Sequence, residues 1–142
     1  MIRRVVLIAC LAMAASYVMA AGGHDPEAGK ASASSDKALY TVVDQTKVDP
    51  GTLMGWKTWR ALSCARCHGA KQEGLVGPSL IESFKTLTEE KFKETVTKGR
   101  PDLGMPAFGE VPRLVDNLDN LYAYLKGRSN GDIAPGHLYP IP

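Results

Sequence analysis

Two cysteines three positions apart, with a histidine directly after the second, constrain this chain more than any other feature: Cys64-Ala65-Arg66-Cys67-His68. On one helical turn, two such thiols can each add to a vinyl group of a haem while the imidazole binds its iron. A thioredoxin-like redox pair would follow a strand in a βαβ unit, which the sequence does not predict. A structural zinc site would need a second Cys or His pair. The motif therefore predicts one haem c, covalently attached to Cys64 and Cys67, with His68 as an axial iron ligand.

The amino-terminal residues are typical of an export signal. Arg3 and Arg4 precede an apolar run that begins at Val5, and small residues follow up to Ala20. The run is shorter than the roughly 20 apolar residues that span a membrane. We therefore expect cleavage near Ala20 and a periplasmic protein without stable membrane insertion. The alternative is an uncleaved signal that anchors the chain.

The sequence divides into three predicted parts. Residues 1–20 are the predicted signal peptide, and residues 21–37 are so small and polar that they predict a flexible arm. Residues 38–142 form the predicted haem-binding domain, with an extended carboxy-terminal tail from Ile133 to Pro142. The β-branched run at Val42-Val43 is too brief to argue for a sheet.

The charge of the exported part is balanced. The full chain has 17 basic and 15 acidic residues, and removal of Arg3 and Arg4 leaves 15 of each (17 minus 2). A protein that binds nucleic acid needs a basic surface that displaces counterions from phosphates. The composition therefore argues against a nucleic-acid partner.

Apolar periodicity and capping residues predict an all-α domain with three main helices. They run from about Pro50 to Cys67 with Asp49 as the cap, from a Thr88 cap to Lys98 with Gly99 at the end, and from about Arg113 to Gly127. Three helices and long loops provide little core of their own. A large apolar cofactor, around which the loops wrap, would provide the rest.

The second axial ligand is predicted by elimination. A pure electron carrier usually fills both axial positions, and the exported part has two methionines, Met54 and Met105. Met54 lies just ahead of the attachment helix, on the His68 side, whereas Met105 lies on a Gly- and Pro-rich loop that can reach the opposite face. We therefore expect Met105 to bind the iron. The alternatives are that Met105 fills a gap in the core, or that His137 is the ligand.

Four further residues have predicted supporting roles. The Pro78 carbonyl can accept a hydrogen bond from His68 Nδ1 and so orient the ring, or Pro78 is simply a turn residue. Trp59 and Tyr124 are expected to line the haem pocket or join the helices. Arg100 can pair with a haem propionate or remain solvated.

Several segments resemble the class I cytochromes c. Gly55-x-x-x-Trp59 is similar to one face of that family's amino-terminal helix, and the stretch from Leu121 to Lys126 is similar to its carboxy-terminal helix. The resemblance implies that these helices cross at the glycine. Gly77-Pro78 and Gly104-Met105-Pro106 resemble the family's proline and methionine segments beside the haem, which implies the roles given above for Pro78 and Met105. One departure is that Gly55 stands nine residues before Cys64, where eight is usual. An extra residue near Leu62-Ser63 would explain it.

A narrower resemblance covers about Tyr40 to Gly136. Val48-Asp49-Pro50-Gly51, Ser83-Phe84-Lys85-Thr86 and the stretch from Leu118 to Leu125 are similar to periplasmic cytochromes that accept electrons from PQQ-dependent alcohol dehydrogenases, including lanthanide-type methanol dehydrogenases. The resemblance implies a one-electron carrier that is not an enzyme, with such a dehydrogenase as donor and a terminal oxidase or second cytochrome as acceptor. The alternatives are a general cytochrome c shuttle, an anchored redox subunit of a respiratory complex, and an enzyme or sensor with an open haem face.

Overall fold

Three helices of ten or more residues carry the fold, as the sequence predicts. The computed structural model describes residues 39–142, so the predicted signal peptide and arm lie outside the described residues. In chain order the elements are β1 (Val42–Val43), β2 (Lys47–Val48), α1 (Pro50–Ala61), α2 (Ala65–His68), α3 (Leu80–Ser83), α4 (Glu89–Lys98), a 3₁₀ turn (Pro101–Leu103), α5 (Pro112–Val115), α6 (Leu118–Asn130) and β3 (Tyr139–Pro140). The main helices are α1, α4 and α6. No helix within residues 39–142 is long and apolar enough to cross a membrane.

The predicted caps of α1 and α4 are confirmed. Asp49 Oδ1 accepts a hydrogen bond from Thr52 N at 3.0 Å, and Thr88 Oγ1 accepts one from Lys91 N at 3.3 Å. Burial would raise the pKa of Asp49, but hydrogen bonds from Thr41 and Thr52 outweigh it and hold that pKa below its usual value. The ionised carboxylate therefore stabilises the start of α1.

The end of the first helix differs from the prediction. α1 ends at Ala61 rather than continuing to Cys67. Ser63 takes a left-handed conformation, with φ at 56°, and donates from its N–H to Arg60 O at 3.1 Å. Cys64 N donates to Trp59 O at 3.4 Å, which completes a Schellman motif. The chain therefore turns at Ser63, which absorbs the extra residue ahead of the attachment motif.

The predicted third helix is also divided, into α5 and α6. Asn117 leaves the helical region, with φ at −134°, and its side-chain amide donates to Arg113 O at 3.0 Å. The loop after His68 contains the short helix α3, which Ser79 caps by accepting a hydrogen bond from Glu82 N. Hydrogen bonds of the polar side chains of Asn117 and Ser79 thus define these short elements, which apolar spacing does not predict.

Helices α1 and α6 cross in close contact at Gly55. A Cβ on Gly55 would lie 1.9 Å from the carbonyl oxygen of Asn120 and 3.0 Å from Leu121 N. Only glycine allows the two backbones this close. The helix crossing that the sequence resemblance implies is therefore present, although Gly55 is displaced by one residue.

A small sheet is the main feature that the sequence does not predict. β1 pairs antiparallel with β2, and β2 pairs parallel with β3, so the order is β1-β2-β3. The tail therefore packs on the domain, with Ile133 and Leu138 buried in the core. Strands of two residues are too short for an alternating pattern, which is why sequence periodicity misses them.

Candidate haem site

The attachment motif forms one tight turn that brings the two cysteines to one side. Cys67 N and His68 N donate to Cys64 O at 3.2 and 3.0 Å. Cys64 is partly buried and Cys67 is exposed, and the two do not form a disulfide with each other. Burial, and to a smaller extent the nearby Cys67, raises the pKa of the Cys64 thiol to about 11. Residues i and i+3 of a helix are neighbours on its surface. The spacing therefore suits two thioether bonds to a single haem.

His68 is held in one orientation by the loop that follows it. Its Nδ1 lies 2.9 Å from Pro78 O. Because a carbonyl only accepts hydrogen bonds, Nδ1 carries the proton and Nε2 keeps its lone pair for a metal. A Cβ on Gly77 would lie 2.9 Å from His68 Cε1, so the backbone of Gly77 packs directly against the ring. The predicted contact between Pro78 and His68 is present in the structure.

Trp59 borders this histidine from α1. The centroids of the Trp59 and His68 rings lie 6.4 Å apart, tilted by 47°, and Trp59 is buried. Trp59 therefore lies beside His68, and its contact with a haem stays a prediction.

Tyr124 belongs to a buried polar network that the sequence analysis missed. Its hydroxyl accepts a hydrogen bond from Gln72 Nε2 at 3.1 Å, and burial raises its pKa. Arg128 donates from Nε to Gln72 Oε1 at 2.7 Å and also donates to the carbonyls of Ile133 and Lys71. Gln72 gives no sequence signal, because it is one polar residue in a loop. Arg128 gives a weak sequence signal of burial, because it lies three residues after Leu125, on the side of the helix that carries the apolar stripe.

The Met105 loop is closed on itself and fastened to α4. Arg100 and Met105 exchange two backbone hydrogen bonds of 2.8 and 3.1 Å across the 3₁₀ turn. Phe108 N and Gly109 N then donate to the carbonyls of Val96 and Thr97. Met105 is partly buried against the core cluster. The loop thus presents Met105 from a fixed backbone.

Arg100 and His137 lie in different surroundings. The Arg100 side chain is exposed, and only its backbone pairs with Met105, so its role toward a propionate stays a prediction. His137, the alternative ligand, packs against Trp56 at a centroid distance of 4.8 Å and against Tyr139 at 4.7 Å. These contacts place His137 on the tail beside α1.

The residues around the motif fit a bulky apolar cofactor. The three most exposed large apolar side chains in the described part of the chain are Leu75, Val76 and Leu103, which are 74%, 85% and 77% exposed. They stand on the two loops that carry Pro78 and Met105. Apolar side chains this exposed are available to cover an apolar ligand. Together with the His68 tautomer, they fit a haem attached to α2.

Comparisons with known proteins agree with this fit. Residues 51–125 match the family model described as Cytochrome C oxidase, cbb3-type, subunit III. Cytochrome c-555 of Methylococcus capsulatus is 41% identical over 92 residues, which cover 64% of this chain and 73% of that protein. Cytochrome c-553I of Paracoccus denitrificans is 31% identical over 117 residues, which cover 78% of this chain and 51% of that protein.

A solved structure extends the likeness to three dimensions. The crystal structure of c-type cytochrome XoxG from Methylobacterium extorquens AM1 matches with a TM-score of 0.62 at 30% sequence identity, covering 72% of this chain and 68% of that one. Fold, attachment motif and relatives together show that the chain belongs to the class I c-type cytochromes. It carries covalently bound haem c and transfers electrons, and its relatives are cytochromes c rather than enzymes. The predicted class, cofactor and electron-transfer function are confirmed.

Proposed function

We propose that this cytochrome is a periplasmic carrier that accepts single electrons from a PQQ-dependent alcohol dehydrogenase. The observation that carries the proposal is the structural likeness to the XoxG cytochrome, which covers 72% of this chain. The segments around Val48, Ser83 and Leu118 support it, because they resemble cytochromes with such donors. The electrons then pass to a terminal oxidase or a second cytochrome.

The same proposal assigns the residues that hold the haem. Cys64 and Cys67 form the two thioether bonds, and His68 and Met105 are the axial ligands. Bound haem supplies a one-electron iron couple, and a thioether ligand raises its potential. The His68 tautomer supports its role, and the closed loop on α4 supports that of Met105. Arg100, next to that loop, is assigned to a haem propionate.

A second candidate function follows from the matched family model. That model is described as a subunit of a cbb3-type oxidase, which favours a haem subunit fixed in a respiratory complex. The two candidates differ in the fate of the amino terminus, because a carrier loses its signal peptide and an anchored subunit keeps it. Mass spectrometry of the protein purified from its own host distinguishes them. A start near Ala21 supports the carrier, and an intact Met1 supports the anchored subunit.

The donor is tested by rapid mixing of the oxidised haem-loaded protein with the PQQ-dependent alcohol dehydrogenase of the same organism and alcohol. Haem reduction is followed by absorbance at several cytochrome concentrations, with a mixture lacking alcohol as the control. Fast reduction that saturates with cytochrome concentration supports a specific donor. Slow reduction that never saturates, with a dehydrogenase that still reduces an artificial acceptor, refutes the pairing and leaves a general cytochrome c shuttle.

A further inference from the structure

Gln72 is the most constrained residue of the loop between His68 and Pro78. It is 1% exposed and its φ is 63°, in the left-handed region that side chains other than glycine rarely adopt. Such a conformation persists only where the surroundings hold it. The contacts of Gln72 show what holds it.

The backbone carbonyl of Gln72 organises the turn that follows Pro78. It accepts hydrogen bonds from Leu80 N at 2.9 Å, from Ile81 N at 3.3 Å and from Ser79 Oγ at 3.3 Å. Ser79 is bonded directly to the Pro78 carbonyl group. The position of that carbonyl relative to His68 is therefore tied to the position of Gln72.

The side chain of Gln72 is locked at both ends of its amide. Nε2 donates to the Tyr124 hydroxyl at 3.1 Å, and Oε1 accepts from Arg128 Nε at 2.7 Å. Both partners lie on α6, and Arg128 also holds the carbonyl of Lys71, the residue before Gln72, at 3.1 Å. Buried hydrogen bonds to a charged group are stronger than those between neutral groups. The loop is thus fixed to α6, which is itself packed against α1.

We propose that Gln72 is a positioning residue for the iron ligand. By fixing the loop to α6 it holds the Pro78 carbonyl on His68 Nδ1, and so sets the donor strength of the imidazole and the reduction potential of the haem. The inference rests on the proposed axial role of His68. A hydrogen bond from Nδ1 to a carbonyl makes the imidazole a stronger donor and fixes its plane. A stronger donor favours ferric iron, so loosening this contact raises the potential.

The test is the potential of the haem-loaded Gln72→Ala variant, measured by spectroelectrochemistry. The substitution removes both side-chain hydrogen bonds and changes no charge. Gln45→Ala is a matched control, because Gln45 is also a glutamine with positive φ, at 59°, but is exposed in the turn between β1 and β2. We expect the potential of Gln72→Ala to rise, changing the equilibrium constant for electron exchange by about tenfold, the lower end of the usual effect of losing a hydrogen-bond partner of a metal ligand. Tenfold corresponds to 59 mV for one electron.

A second readout follows the hydrogen bond itself. In the reduced protein, NMR of the His68 Nδ1 proton reports its exchange with water, which should be faster in Gln72→Ala and unchanged in Gln45→Ala. If Gln72→Ala does not fold with haem, Gln72→Met fills the same space without the hydrogen bonds and should shift the potential in the same direction.

The measurements distinguish a failure of the Gln72 proposal from a failure of the proposed role of His68. A potential for Gln72→Ala or Gln72→Met equal to that of Gln45→Ala overturns the proposal, even if the variant is less stable. A wild-type spectrum without a histidine-ligated low-spin haem would instead refute the proposed role of His68.

Discussion

Gly55→Ala tests the α1–α6 crossing, because the crossing leaves no room for a methyl group. The added Cβ would lie 1.9 Å from the Asn120 carbonyl oxygen and 2.5 Å from its carbon. Both atoms belong to helix backbone and cannot turn aside. Since carbon and oxygen in contact stay about 3.3 Å apart, the helices must separate by more than about 1 Å.

The magnitude follows from what the separation exposes. A gap of about 1 Å forfeits up to half of the dispersion energy between the facing groups. Burial of a large apolar side chain contributes about 1.5–3 kcal/mol. The large buried side chains of α1 and α6 are Trp56, Trp59, Leu121, Tyr122, Tyr124 and Leu125. We expect a loss of about 3–5 kcal/mol at the crossing, which the better helix propensity of alanine offsets by about 1 kcal/mol. The net destabilisation is about 2–4 kcal/mol, a large part of the usual stability of a domain.

The assay is guanidinium unfolding of the haem-loaded protein, followed by far-UV circular dichroism. Gly51→Ala is the matched control on the same helix. A Cβ there would lie 2.8 Å from Asn120 Oδ1 and 3.2 Å from Asp49 Oδ1, and both atoms are side-chain ends that can shift, unlike helix backbone. We expect Gly51→Ala to unfold within about 1 kcal/mol of wild type. If Gly55→Ala is as stable as Gly51→Ala, the reasoning from close backbone contact is wrong.

Three further predictions concern a cap, a turn and a ligand. Asp49→Ala should lower stability by about 0.5–2 kcal/mol at neutral pH. Because the folded pKa of Asp49 is depressed, its contribution is present above its unfolded pKa of about 3.9 and is lost as pH falls through the folded value. Unfolding curves should therefore converge in acid, and a constant gap would contradict the role of the charge. Ser63→Gly should stabilise the protein by up to about 1 kcal/mol, since glycine accepts the left-handed conformation without strain. An unchanged or lower guanidinium midpoint would count against the strained turn. Met105→Ala should lower the reduction potential and let the reduced protein bind carbon monoxide. An unchanged spectrum would show that another residue is the ligand.

Local signals in the sequence identify the main helices and the part of the haem site that contains Cys64, Cys67 and His68. Asp49, Thr88 and Gly99 mark helix ends by short-range chemistry, and these predictions are confirmed. The spacing of Cys64, Cys67 and His68 is itself a local pattern, so the cofactor can be inferred without a structure. Each of these features is defined by residues that are close together in the sequence.

The missed features depend on contacts between distant parts of the chain. The break at Ser63 is hidden because apolar spacing continues past it. The β2–β3 pairing joins Lys47 to Tyr139, and two-residue strands have no pattern of their own. Gln72 and Arg128 are polar residues whose burial depends on hydrogen bonds to each other, to Tyr124 and to backbone carbonyls, which no periodicity reports.

The Gly55 crossing also closes a long loop of the chain. Gly55 and Asn120 are 65 residues apart (120 minus 55), and closing a loop of that length costs about 4 kcal/mol of chain entropy. Contacts that close shorter loops, such as that between Phe84 and Tyr122, share this cost with the α1–α6 contact. Once this contact has formed, the segments carrying His68 and Met105 lie inside a closed ring, and each needs only a shorter closure of its own. A variant that loosens the crossing should therefore slow folding as well as lower stability.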